Sequence, residues 1–200
     1  MLGGTFNPPT LGHLAIAGHA REQLGLERVV LMPTGSPPHK RIDEDPGPRR
    51  RLEMCRLLVR GAEGLAVCAL ETEREGPSYT VDTLRELHAR HPETELTFIG
   101  GADVASTLPG WREPLALLEL ATLAVAERPG SDRSGVLDAL ARLGAAERVC
   151  FLEAPLIDVS SSRARKRAAV GEPIERLVGA DVAAYVAEHA LYGAGARTAS

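Results

Sequence analysis

The chain has 200 residues, 44% of them hydrophobic and 25% charged, a balance that fits a folded globular protein and excludes a disordered one. Its net charge of −4 supplies no field to draw nucleic acid or an anionic membrane. No apolar run approaches the roughly 20 residues of a spanning helix, no signal peptide opens the chain, and a cytoplasmic location is expected.

In chain order, the first feature is "GGTFNPPTLGHL", Gly3 to Leu14. Glycines let a ligand approach the backbone, prolines fix a turn, and a helix starting at Thr10 leaves unpaired N–H groups facing that turn. With Thr10 as N-cap, Gly12 and His13 fall at the second and third helical positions. There the dipole attracts an anion, Gly12 leaves room for a phosphate, and His13 points toward it. The same pattern also describes a plain capping threonine and a surface histidine. Only Met1 and Leu2 precede the glycines, too few for a strand of about five residues, so a short upstream extension is expected.

Apolar, strand-like runs follow at 28–33, 65–70, 95–100, 121–127 and 148–154, alternating with amphipathic segments near 11–24, 48–60, 79–91 and 134–143. Leu52, Cys55, Leu58 and Val59 have helical spacing behind Pro48. The triple Arg49-Arg50-Arg51 reads as a solvated first turn of that helix. The loop 34–47 carries three prolines and reads as a flap or substrate loop. Alternation of strand and helix with continuous apolar strands predicts a parallel sheet covered on both faces, with ligands beyond the carboxyl ends of its strands. The expected fold is therefore α/β, a Rossmann-like doubly wound parallel sheet, in one domain spanning 1–200. Residues 160–192 form a short C-terminal helical cap on it, broken at "VGEP", and 193–200 a flexible tail. Cys55, Cys68 and Cys150 form no Cys-x-x-Cys pair and sit among apolar neighbours. They read as three reduced, buried thiols rather than a zinc site.

A second chemistry-bearing stretch is "IDVSSSRARKR", 157–167. A strand end runs into three serines and a basic helix. Ser160 and Ser161 can cap that helix and offer hydroxyls, and Arg165 lies one turn in, on a different face from Arg163 and Lys166. A solvated basic face is the alternative.

Together, the two stretches resemble the signatures of the nucleotidyltransferase superfamily. "TLGH" matches its His-or-Thr, any, Gly, His pattern, and "VSSSRAR" is similar to Ile-Ser-Ser-Thr-x-x-Arg, with Val159 for Ile and Ser162 for Thr. Within that superfamily the chain resembles the bacterial nicotinate-nucleotide adenylyltransferases. The supporting stretches are "GSPPHK" (35–40), "PSYT" (77–80), "IGGAD" (99–103), "LPGWRE" (108–113) and "ERPG" (127–130), in the family's order and over nearly the whole chain.

The resemblance implies transfer of the adenylyl group of ATP to nicotinate mononucleotide, giving deamido-NAD and pyrophosphate, with Mg²⁺ arriving on ATP and no metal ligands from the protein. The attacking phosphate is already ionised, so positioning and charge stabilisation carry the reaction. By the same resemblance His13 meets the α-phosphate, and Thr10 stands where many members have His. Asn7 replaces a frequent Asp. Main-chain groups of Gly3, Gly4, Thr5 and Phe6 meet the nucleotides, and Ser160, Ser161 and Arg165 hold the β- and γ-phosphates. Asp103 either contacts a ribose hydroxyl or caps the helix after Gly101. Lys40 either meets the nicotinate nucleotide's phosphate or stands in solvent. Tyr79 and Thr80 receive the nicotinate carboxylate at a helix start, or merely cap it. Trp111, the sole tryptophan, sits on a Pro-Gly turn as a stacking platform. Rival readings are a nicotinamide mononucleotide or phosphopantetheine adenylyltransferase, a non-catalytic nucleotide sensor, and a fragment of a class I aminoacyl-tRNA synthetase. The last lacks its lysine-rich motif here.

Overall fold

Gly3 and Gly4 do not follow the first strand; they form it. β1 spans Leu2–Gly4 and pairs in parallel with β2 (Val29–Pro33) on one side and β4 (Thr97–Gly101) on the other, Leu2 lying opposite both Leu31 and Ile99. Glycine leaves room there for two rings: a β-carbon on Gly3 would sit 3.2 Å from the Phe98 ring, and one on Gly4 3.2 Å from the Phe6 ring, each tighter than an ordinary contact. The computed structural model describes residues 1–38, 41–127, 130–153 and 157–194. Lys40 and residues 195–200 of the expected tail lie outside these described residues.

β3 (Leu65–Val67), β5 (Thr122–Glu127) and β6 (Val149–Glu153) complete a six-stranded, all-parallel sheet in the order β3-β2-β1-β4-β5-β6. This is the doubly wound arrangement expected from the alternation of elements. The strand order reverses between β1 and β4, where ligands of such sheets bind. β3 is shorter than the apolar run 65–70 because Leu70 already begins a one-turn helix, α3 (Leu70–Glu73). Neither α3 nor the seven-residue α6 (Pro114–Leu120) shows enough of a period to be read from the chain.

The two faces of the sheet carry separate apolar clusters, as period-two alternation requires. Leu31, Ile99, Ala124 and Leu152 face one cluster, with α1 (Leu11–Gln23) and α2 (Pro48–Leu58). Phe98, Leu123 and Val125 face the other, with α4 (Thr80–Arg90), α5 (Ala102–Ser106), α6 and α7 (Arg133–Ala141). α2 buries Leu52, Cys55 and Leu58 of the predicted stripe and Met54 besides, while Val59, the fourth residue of that stripe, is its half-buried C-cap. α1 buries only Gly12, Ala17 and Ala20, small residues that bring its backbone close to its neighbours. The C-terminal segment forms α8 (Ser161–Ala169), α9 (Glu175–Val178) and α10 (Ala180–Glu188). Their Ala164, Ala168, Leu177, Val182 and Val186 join the same cluster as Leu2 and Leu31.

All three cysteines are free; Cys55 is buried, but Cys68 and Cys150 are only half-buried, a correction to the three buried thiols expected. Among the described residues no helix is long and apolar enough to cross a membrane.

Candidate active site

β1 delivers the chain into a tight turn. Phe6 sits in the left-handed region at φ +50 and is 1% exposed, so the surrounding core holds a bulky side chain in a conformation it rarely adopts. Thr10 is the buried N-cap of α1, as expected. Its N–H donates to Nδ1 of His13 at 3.0 Å, and its hydroxyl lies 2.9 Å from the same nitrogen. A neutral imidazole that accepts at Nδ1 carries its proton on Nε2, so Thr10 sets the tautomer that makes His13 a donor. The Phe6 ring packs edge-on against the imidazole at 5.0 Å. Thr10 thus holds the imidazole of His13 from one side, and the Phe6 ring is a wall for it on another.

The second signature folds onto this turn. Ser160 caps α8, its hydroxyl accepting from the Arg163 N–H at 3.2 Å. Ser161 donates to the Pro8 carbonyl at 2.7 Å, and Arg165 Nη1 donates to the Asn7 carbonyl at 2.8 Å. Arg165 Nε meets Glu44 at 2.8 Å, whereas Arg163 turns away to Asp158 at 2.9 Å. Asn7 is buried, donating to the Asp43 carbonyl at 2.7 Å and accepting from the Tyr192 hydroxyl at 2.8 Å. The room expected beside Gly12 for a phosphate is already filled: a β-carbon there would lie 2.9 Å from Val159 Cγ2. Gly12 is a contact point between the two signatures.

Arg51 corrects the reading of the arginine triple. It is 0% exposed. Nη1 donates to the carbonyls of Thr5 at 2.9 Å and Thr34 at 2.6 Å, Nη2 to Gly35 at 3.0 Å, and Nε to Asp45 at 2.9 Å. One guanidinium therefore ties the turn after β1 to the loop after β2. Ser78 extends the link, its hydroxyl accepting from the N–H groups of Gly35 at 3.1 Å and Ser36 at 3.3 Å.

Between the carboxyl ends of β1 and β4 lies a cavity of about 270 Å³. Gly3, Gly4 and Thr5 form one side, Tyr79 and Thr80 at the start of α4 another, and Asp103 and Trp111 a third. Asp103 is exposed, and Gly101, the N-cap of α5, receives no side-chain bond, so the capping alternative does not hold. Half-buried Trp111 leans on Phe98 at 5.9 Å and donates from Nε1 to Thr107 at 3.1 Å; the Arg112 guanidinium lies 4.7 Å over the Tyr79 ring. Thr10, Phe6, His13, Ser160, Ser161 and Arg165 are not in the cavity wall but gather around the turn that leads out of Thr5. Nothing in the charged run "LETERE" marks Glu71 for burial in the sequence. It is 6% exposed in the cavity wall and accepts from the Thr83 hydroxyl at 2.8 Å. Burial pushes its carboxyl above the ordinary value, against the hydroxyls of Thr83 and Thr34 and the charge of Arg74.

Residues 1–167 match the cytidylyltransferase-like family model. A probable nicotinate-nucleotide adenylyltransferase of Symbiobacterium thermophilum is 40% identical over 194 residues, covering 96% of this chain and 93% of the relative. That of Halalkalibacterium halodurans is 38% identical over 193 residues, covering 96% and 89%. The chain belongs to the nicotinate-nucleotide adenylyltransferase family. Solved structures share the fold at lower identity. The Plasmodium falciparum nicotinic acid mononucleotide adenylyltransferase complexed with APC superposes with a TM-score of 0.79 at 17% identity, covering 98% of this chain and 97% of that one. The same enzyme complexed with NaAD gives 0.78 at 17% identity and the same coverage. The family membership makes the chain a nucleotidyltransferase, and the resemblance carried by its two signatures holds.

Proposed function

We infer that this chain joins the phosphate of nicotinate mononucleotide to the AMP part of ATP, forming deamido-NAD and pyrophosphate. A phosphate oxygen of the mononucleotide attacks the α-phosphorus, and the bond to the oxygen bridging to the β-phosphate breaks. His13, protonated at Nε2, donates to the α-phosphate as charge builds there. Arg165 and the start of α8 receive the departing pyrophosphate, with Ser160 and Ser161 fixing that start. Gly3, Gly4 and Thr5 bring main-chain groups to the nucleotides, and Asp103 reaches a ribose hydroxyl. Trp111 faces the pyridine ring, and the first turn of α4 at Tyr79 and Thr80 receives its carboxylate.

Mg²⁺ arrives on the phosphates of ATP in this reading; among the described residues no three His, Cys, Asp or Glu group to hold a metal. Residues 1–200 act as one nucleotidyltransferase unit in the cytoplasm, with 160–192 as its cap and small-molecule partners only. The observation that carries the reading is the meeting of the two signatures, with Arg165 bonded to the Asn7 carbonyl across 158 positions of sequence beside an aromatic-walled cavity.

The test is pyrophosphate release from ATP with nicotinate mononucleotide, nicotinamide mononucleotide or phosphopantetheine in parallel. Fastest release with the first is expected, and a preference for phosphopantetheine overturns the assignment. His13→Ala is expected to lose turnover about 100- to 1000-fold while staying folded.

A further inference from the structure

Glu44 belongs to neither signature, yet its carboxylate is on the guanidinium that the proposed reaction needs. Arg165 Nε meets Glu44 Oε2 at 2.8 Å while Nη1 is held by the Asn7 carbonyl at 2.8 Å. Two acceptors on separate nitrogens fix the plane of a guanidinium. Nη2, with two N–H groups, has no hydrogen bond to any described residue. The Arg165 side chain is 16% exposed, so it is held at the edge of the protein with one end left to donate.

The position of Glu44 is itself fixed from both sides. Its own φ is +52, a left-handed turn conformation. Before it, the Asp43 carbonyl accepts from Asn7 Nδ2 at 2.7 Å. After it, the Asp45 carboxylate accepts from the Gly47 N–H and from Arg51 Nε, both at 2.9 Å. Asn7 and Arg51 are buried, so the turn is anchored on the segment that follows β1 and on α2. A carboxylate 60% exposed on its side chain contributes little to stability by pairing with a cation. What it does contribute is orientation.

We propose that Glu44 is a positioning residue of the adenylyl-transfer site, orienting Arg165 so that its Nη2 edge meets the phosphates of the nucleotide. This rests on the reading of Arg165 given above.

The experiment measures kcat, KM for ATP and Tm in Glu44→Ala, Glu44→Gln, Arg165→Ala and the double variant Glu44→Ala/Arg165→Ala. Glu44→Ala is expected to lower kcat about 5- to 50-fold, as misplacement of a catalytic group does, with Tm within about 2 °C of the parent. Glu44→Gln keeps an oxygen for Nε and should recover more than half of that loss on a logarithmic scale. In the Arg165→Ala background Glu44→Ala should change kcat by less than about twofold, because its effect passes through the missing side chain. The proposal is overturned by parental kcat in Glu44→Ala, by equal losses in both backgrounds, or by a lower KM for ATP at unchanged kcat, which would make Glu44 a competitor of phosphate. A fall in Tm of more than about 5 °C in both Glu44 variants would make the pair structural and overturn it as well. Parental kcat in Arg165→Ala is a different failure: that single variant would remove Arg165 from the reaction, and the role of Glu44 with it.

Discussion

Val159 and Gly12 are in van der Waals contact across the junction of the two signatures, with Cγ2 of Val159 2.9 Å from where a β-carbon on Gly12 would stand. The first turn of α1 and the segment leading into α8 can approach this closely only because residue 12 has no side chain. Gly12→Ala should therefore push the two helix starts apart. Overpacking costs about 1–3 kcal/mol, offset in part by the better helix propensity of alanine, of up to about 1 kcal/mol. A Tm lower by a few degrees and a larger loss of kcat are expected. Val159→Ala added to Gly12→Ala should restore part of both, and additive losses would show that the contact is not the cause.

Arg51 is the second test, of how the turn after β1 is held to the loop after β2. Replacing it with Met leaves the carbonyls of Thr5, Thr34 and Gly35 without their donor and Asp45 without its partner. Asp45 is partly exposed and can turn to water, so the loss comes chiefly from the carbonyls, and leaving a buried acceptor unsatisfied costs about 1–3 kcal/mol. Denaturant unfolding should show a loss of that size in Arg51→Met. Arg51→Lys should recover less than half of it, since an ammonium cannot span four acceptors on two loops. A loss under about 1 kcal/mol would contradict the structure.

Trp111 tests the acceptor side of the cavity. Removing a stacking aromatic costs about 1–3 kcal/mol in nucleotide-base binders. Trp111→Ala is expected to raise KM for nicotinate mononucleotide roughly 5- to 100-fold and to leave KM for ATP within about twofold. A loss confined to ATP would refute the placement of the pyridine ring.

Glu71 predicts a pH dependence of stability. Burial raises its carboxyl above 4.5, so the folded protein holds that proton more tightly than the unfolded chain. Its favourable contribution is complete below the unfolded value and is lost as pH rises through the folded one. Glu71→Gln keeps an oxygen to accept from Thr83 and carries no charge. Its Tm should match the parent near pH 4 and exceed it increasingly as pH rises toward 8, and a constant difference across that range would exclude Glu71 as the cause.

What the chain determined by itself lies in short-range patterns. The prolines before Thr10, the cap at Thr10 and the cap at Ser160 act on their own backbone within a few residues, so that turn and both helix starts were legible where they stand. Gly3-Gly4, by contrast, read as a turn and are strand only because β2 and β4 pair with them. Apolar runs alternating with amphipathic ones likewise required a parallel sheet, because only such a sheet buries both faces of every strand. The tertiary structure decided which polar residues are inside and what they hold. Arg51 reaches Thr5 over 46 positions, Glu44 reaches Arg165 over 121, and Tyr192 reaches Asn7 over 185. A charged side chain in a polar run is identical in sequence whether water or three carbonyls surround it. Its burial is set by the distant loops that fold over it, and those contacts leave no local period to read.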